Sequence, residues 1–373
     1  MPGISPYSSS GNITVTKRLF WLNGIAILSV VLNHAVGWGF TALFWWTDRY
    51  RAVSVPNFDA LGTPTYDVML VIKQLTPFSV PVFLVVSGYF IAFASRAGLN
   101  WKMVGARLKG LLIPYLIWSL VAMALDVAFG ARIIPIQMAL NLLTGNATSI
   151  YYYVPLICQL FVLSPLLVPW IRSAHWKKVL LAAGALQLLM MVVTYLSIFG
   201  HFRFDAAWFF GNLVFFFVFG VALNFHLEEI RAWIHRTRIF WLVGLIVFAV
   251  LTVVETEIYF RLDMGDWRGG VETLAATLYT LSFVMVFIEF DRFEIPYSLL
   301  LGKIGQKAYG IYLLHPIVLL VVAKLTYHLA PRILGWPGVF LPLLLLSGIA
   351  LPLLAMRLVA RTPLRKGYRF LFG

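Results

Sequence analysis

Two histidines lie where a polar side chain is expensive. His34 ends the run NGIAILSVVLNH and His315 ends the run GQKAYGIYLLH, each deep in an apolar stretch. Imidazole is the side chain best suited to moving a proton near neutral pH or activating a hydroxyl. A polar group inside an apolar span is a functional candidate by default, since leaving it unpaired costs several kcal/mol. Either histidine alone reads equally well as a packed ring bonded to a neighbouring helix, but two in one bundle favour chemistry. The acids are placed differently: Asp126, Glu255, Glu257 and Glu272 fall near the outer ends of their runs. They read as a solvated rim, or as acceptors for the hydroxyls of a polar substrate. Ser87, Gly88 and Tyr89 sit in PVFLVVSGYF, where glycine admits a neighbouring backbone and serine can bond across helices. Tyr151, Tyr152 and Tyr153 suit an interfacial aromatic belt, whereas Gln159 lies deeper and its amide needs partners. Arg107 and Lys109 in ARLKGLLIPYLIW are either snorkelling anchors or a phosphate clamp.

The elements that must hold these residues follow from composition. Of 373 residues, 61% are apolar and 12% are charged, against about 25% charged in soluble domains. This excludes a soluble globule, a disordered chain and a collagen-like repeat. Apolar runs fall near 19–40, 78–95, 110–129, 150–171, 179–199, 207–225, 239–260, 271–290, 307–329 and 337–359. Each is of spanning length, and lipid leaves the backbone no solution but helix when no barrel pattern is present. The fold expected is therefore an all-α, polytopic transmembrane helix bundle of about ten spans. Stretches 64–77 and 132–143 are amphipathic and expected at the interface. Residues 1–16 are expected to be disordered, 17–361 to form the transmembrane domain, and 362–373 to be a basic tail. The apolar run from Leu19 is too long for a signal peptide and has no small-residue cleavage site.

Charge tests the count. The formal net charge is +14, which in a soluble protein would suggest nucleic acid; here the positive-inside rule accounts for it, and no nucleic acid is expected. With the N-terminus inside, 20 Lys and Arg fall on the inner side and seven on the outer, with both termini cytoplasmic. Lys73 and Lys324 lie within predicted elements and are left out of that tally. The lone cysteine, Cys158, can build neither a disulfide framework nor a thiolate cluster, and no metal is expected. Walker, Rossmann, HExxH and GxSxG patterns are missing. So are a coupling-ion ladder and paired interrupted helices, which counts against a transporter.

Four segments, in order, resemble the acyltransferase 3 family of membrane-bound O-acyltransferases. LFWLNGIAILSVVLNH, from Leu19 to His34, lies without a gap along that family's first-span pattern LDGLRGIAALLVVLFH. PVFLVVSGYFIA, YYVPLICQLFVLSPLL and IGQKAYGIYLLHPIV resemble its second-, fourth- and ninth-span segments. The resemblance implies an acyl group, often acetyl, taken from cytoplasmic acyl-CoA to a hydroxyl of a cell-envelope glycan. It also implies a multi-pass protein of the bacterial inner membrane. Carried over by position, His34 is the catalytic histidine, acting as general base or acyl carrier, with His315 beside it. Ser87, Gly88, Tyr89, Tyr153, Gln159, Tyr309 and Tyr312 are site-wall or acceptor residues. Arg107 and Lys109 are donor contacts, with Asn23 where the family has an arginine eleven residues before its histidine. Phe20 replaces the family's aspartate, Tyr152 its tryptophan and Ala308 its serine. A transporter or flippase of a polar or lipid-linked molecule, and a catalytically silent relative, are the alternatives. Acceptor identity and oligomeric state are not legible in the sequence.

Overall fold

The computed structural model of the chain describes residues 7–96, 100–132, 134–200, 202, 206–262, 271–291, 293 and 295–373. Arg203, Arg268 and Arg292 of the charge tally, and residues 1–6 of the N-terminal segment, lie outside them. All regular structure among the described residues is helical. α1 spans Tyr7–Phe40, so helix begins within the segment expected to be disordered. α2 (Pro64–Leu75), α3 (Ser79–Ser95), α4 (Trp101–Ala128) and α5 (Pro135–Thr144) follow. Then come α6 (Tyr153–Arg172), α7 (Trp176–Ile198), α8 (Val214–Phe225), α9 (Leu227–Arg236) and α10 (Arg238–Arg261). α11 (Leu274–Glu289), α12 (Ser298–Gly305), α13 (Ala308–Leu329), α14 (Pro337–Arg361) and α15 (Tyr368–Phe372) complete the chain. Several starts are written in sequence: Thr63 Oγ1 accepts from Tyr66 N, and Asn100 Oδ1 accepts from Met103 N.

Among the described residues, eight helical stretches are long and apolar enough to cross a membrane. They correspond to eight of the ten expected runs. The other two are shorter, α8 with 12 residues and α11 with 16. At 1.5 Å per residue, α8 covers only about 18 Å of a core about 30 Å thick. The chain ahead of it is irregular, which apolar surroundings permit only where backbone groups find protein partners. They do: Gln159 Nε2 donates to Trp208 O at 2.7 Å, and Gln159 Oε1 accepts from Phe210 N. Gln187 Oε1 accepts from Phe215 N at the first turn of α8, and Asn212 Nδ2 donates to Ala206 O.

The end of α11 is satisfied in the same way. Arg18 of α1 is buried, and its guanidinium donates to the carbonyls of Phe287, Phe290, Asp291 and Phe293. A cation at a helix C-terminus meets both the orphan carbonyls and the negative end of the dipole.

Stretch 64–77, expected at the interface, packs one face of α2 into the bundle. α2 and α3 together form one candidate span, Pro64–Ser95, and Tyr66, Met69, Leu70 and Gln74 are buried. α5 buries nothing, and Ile136, Leu140 and Leu143 share one exposed face, as an interfacial helix would. The segment after α14 returns to the bundle: Trp118 Nε1 donates to Leu371 O at 2.7 Å, and Phe372 is buried.

Two helix pairs touch through their backbones. A Cβ on Gly88 of α3 would lie 2.1 Å from Phe217 O, and one on Gly220 of α8 would lie 2.0 Å from Val85 O. Between α1 and α12, a Cβ on Gly24 would lie 2.2 Å from Leu301 O, and one on Gly305 would lie 2.1 Å from Phe20 O. Reciprocal glycines let the helices approach as small residues do at membrane interfaces generally. Gly88→Ala or Gly220→Ala must therefore push two backbones apart. Each should cost about 1–3 kcal/mol in thermal or denaturant unfolding of the purified protein. Gly105→Ala, with nothing within 4 Å of its Cβ, should be neutral or stabilising by up to about 1 kcal/mol.

Candidate active site

α13 carries Tyr309, Tyr312 and His315 at a spacing of three, which sets them along one face. Pro316 follows His315 and has no N–H, so the carbonyl of Tyr312 loses its helical partner. His315 is fully buried, with Nδ1 at 3.1 Å from Ile311 O. A carbonyl only accepts, so Nδ1 carries hydrogen, and Nε2 is left without a partner. α1 brings the second ring alongside: the His34 and His315 centroids are 5.5 Å apart, with ring planes 39° from parallel. Asn23 and His34 are eleven residues apart on α1, three turns or about 16 Å, and so share a face.

That face of α1 borders two cavities. The first, of about 390 Å³, is lined by His34, Trp38, Lys73, Asp126, Thr148 and Ser149 among others. The second, of about 280 Å³, is lined by Asn23, Ser87, Arg107, Tyr153, Tyr309 and Tyr312, with Phe20, Phe90 and Phe161 as its apolar wall. Arg107 and Asp126, both on α4, mark the two cavities at positions nineteen residues apart, about 28 Å along the helix. Crossed bonds hold the partition between them. Tyr312 donates its hydroxyl to Ile150 O, and Tyr151 donates to Leu313 O. Ile150 lines the first cavity and Tyr312 the second. The buried His315 lies behind this partition, its ring centroid 6.1 Å from that of Tyr312.

Within the Asn23 cavity, Arg107 is the one cation among the lining residues. Its guanidinium lies 5.8 Å from the Phe161 ring centroid. Asn23 Nδ2 donates to Gly305 O at 2.7 Å. Ser87 Oγ and the Tyr153 hydroxyl are 3.3 Å apart.

Eight of the expected site residues thus converge: His34, His315, Asn23, Arg107, Ser87, Tyr153, Tyr309 and Tyr312. Of these, His315 itself lines neither cavity, and neither do the other four expected residues. Gly88 is used in the α3–α8 contact, and Gln159 is bound to backbone ahead of α8. Tyr89 is fully buried, with its hydroxyl 3.4 Å from Thr16 Oγ1. Lys109 is exposed, because two residues along a helix from Arg107 it points about 200° away.

The rim acids are mostly ties between helices. Glu255 accepts from Tyr195 and Tyr259, and Glu257 accepts from Tyr66 and Arg261. Glu272 lies 3.4 Å from Asn212 Nδ2. Asp126 instead faces the His34 cavity. Sequence reasoning missed Lys73 of that cavity's wall, and Asn33, which holds it. Lys73 Nζ donates to Asn33 Oδ1 at 2.9 Å. The available signals were a lysine in a stretch that runs on into an apolar span, and an asparagine beside the first-span histidine.

The family model for the acyltransferase domain of the acyltransferase 3 family matches residues 18–354. The chain belongs to this family, and the matched stretch contains every residue that lines either cavity. Comparison with curated proteins and with solved structures returns no match.

The crossed tyrosine bonds should hold the 147–151 loop over α13. Tyr151→Phe removes one of them and should destabilise the protein by roughly 1 kcal/mol. Hydrogen exchange at residues 147–151 should rise, while exchange in the buried α8 should not.

Proposed function

We propose that the chain is an integral-membrane O-acyltransferase that passes an acyl group between the two cavities, at the His34–His315 pair. The observation that carries this reading is the position of that pair: His34 lines one cavity, and His315 lies behind the partition from the other. With the N-terminus in the cytoplasm, as the basic residues favour, the Asn23 cavity opens inward and the His34 cavity outward. α8 and α11 then complete ten crossings with their flanking segments, and both termini are cytoplasmic.

The donor is acyl-CoA, with acetyl as the group transferred. Its phosphates meet Arg107, the one cation among the lining residues. Asn23 contributes hydrogen bonding but no charge. The pantetheine arm runs along the apolar wall and presents the thioester near Ser87 and Tyr153.

The acceptor hydroxyl enters the His34 cavity, where Trp38 offers an aromatic face and Asp126, Thr148 and Ser149 offer polar partners suited to a cell-envelope glycan. His34 takes the proton from that hydroxyl as its oxygen attacks the thioester carbonyl. Collapse of the tetrahedral adduct breaks the C–S bond, and the proton passes from His34 to the departing sulfur. His315, with Nδ1 anchored on Ile311 O, packs its ring beside that of His34, 5.5 Å between centroids, and limits how far His34 can turn. Brief acylation of His34 itself is the other route, in two displacements rather than one.

Coenzyme A release by the purified protein tests this. His34→Ala should lower turnover about 10²–10⁴-fold without loss of folded protein; full activity in that variant overturns the assignment. Arg107→Ala should raise the KM for acetyl-CoA about tenfold with little change in kcat, because it removes binding common to ground and transition states. An unchanged KM would make Arg107 an anchor only.

A further inference from the structure

The His34 cavity contains a charge that acyl transfer as described does not use. Lys73 lies in the last turn of α2 and lines the cavity together with His34. Its ammonium donates to Asn33 Oδ1 at 2.9 Å and to Asn33 O at 3.2 Å. A Cβ on Gly37 would sit 3.6 Å from Nζ. The charge therefore lies against the 33–37 turn of α1, the turn that carries His34. Asn33 is itself held in place, its Nδ2 donating to Lys73 O at 2.9 Å and Thr76 Oγ1 at 2.8 Å.

These partners are all neutral. The oxygens of Asn33 and the carbonyl end of α2 stabilise a cation without cancelling its charge. The ion pairs among the described residues lie elsewhere, at Lys177–Glu229, Arg231–Asp291, His235–Glu289 and Arg261–Glu257. Asp126, the carboxylate on the α4 wall of the same cavity, forms no ion pair with Lys73. An ammonium has three N–H donors. Two engage Asn33, which leaves one for a ligand. A half-buried positive charge lacking a counter-ion favours an anion brought by a ligand.

We propose that the acceptor is anionic: it carries a carboxylate or phosphate close to the hydroxyl that is acylated, and that anion seats on Lys73. This rests on reading the His34 cavity as the acceptor side. Lys73 and His34 share one turn of α1 as their platform, so the anion and the reacting hydroxyl lie close together. Asp126 on the opposite wall repels the anion and accepts from the remaining hydroxyls, so the acceptor binds in one orientation.

Binding measurements on the purified full chain test this without relying on turnover. The probes are methyl β-glucuronide, glucose 1-phosphate and, as the uncharged reference, methyl β-glucoside. The wild type should bind at least one anionic probe about tenfold more tightly than the glucoside. Whichever anion is preferred separates a uronic-acid type of acceptor from a phosphorylated one. Lys73→Gln keeps a donor for Asn33 and should abolish the preference, whereas Lys73→Arg should retain it. Coenzyme A binding, at the other cavity, should be unaffected in both variants, which also reports that they fold. Equal or undetectable binding of the anionic probes by wild type overturns the proposal, as does a preference that survives Lys73→Gln. A kcat lowered equally for charged and neutral acceptors also overturns it, by placing Lys73 on the reaction's oxyanion. If wild type fails to bind coenzyme A but keeps its anion preference, the acyltransferase reading fails and the anion site stands.

Discussion

The dominant constraint on this chain is that its backbone and side-chain polar groups must find partners in protein, because the hydrocarbon around them offers none. Much of its deep polar chemistry answers that demand. Gln159 and Gln187 replace the helical bonds that the irregular segment before α8 lacks. Arg18 closes the end of α11 with its guanidinium fork, which a lysine could not reproduce against carbonyls in four directions. Glu255 and Glu257 are held by tyrosines of neighbouring helices, Tyr195 and Tyr66. Once these roles are subtracted, the polar groups beside the cavities stand out: the His34–His315 pair, Arg107, Lys73 and Asp126. They are positioned by the same packing but are not consumed by it.

Close approach of helices makes that positioning possible. Gly88 and Gly220 let α3 and α8 meet backbone to backbone, and Gly24 and Gly305 do the same for α1 and α12. The second contact fixes where α13 begins relative to α1. A three-residue spacing then lays Tyr309, Tyr312 and His315 alongside α1 with little freedom to shift. The crossed bonds of Tyr151 and Tyr312 add a tie from the loop before α6. The 5.5 Å separation of the two imidazoles is thus set by contacts well removed from either ring.

Much of this was legible in the sequence. Spanning length and composition gave the helices, and the eleven-residue spacing placed Asn23 and His34 on one face. The family likeness picked out the α13 residues. The misassignments share a cause. A polar residue in an apolar span is conspicuous whether it serves the backbone or the site, and sequence cannot show which way its partners lie. Gln159 and Gly88 were conspicuous for structural reasons. Lys73 was inconspicuous for the opposite reason. The amphipathic pattern of α2 resembles an interfacial helix, so its lysine looked like a surface residue, yet the last turn of α2 lies against α1 at Asn33. Lys109 is a different case, since helical geometry alone turns it away from its neighbour Arg107.

The asparagine at position 23 makes sense in this setting. α1 and α12 touch through Gly24 and Gly305, and Asn23 Nδ2 reaches Gly305 O at 2.7 Å across that contact. A short amide suits so close a junction. A longer arginine would extend past it into the cavity, where it would meet the guanidinium of Arg107 with no carboxylate among the lining residues to separate them. Two cations in a cavity of that size, with no carboxylate between them, would repel each other. With asparagine on α1, the charge of the Asn23 cavity comes from α4 and that of the His34 cavity from α2. α1 is left to carry the reactive imidazole between them.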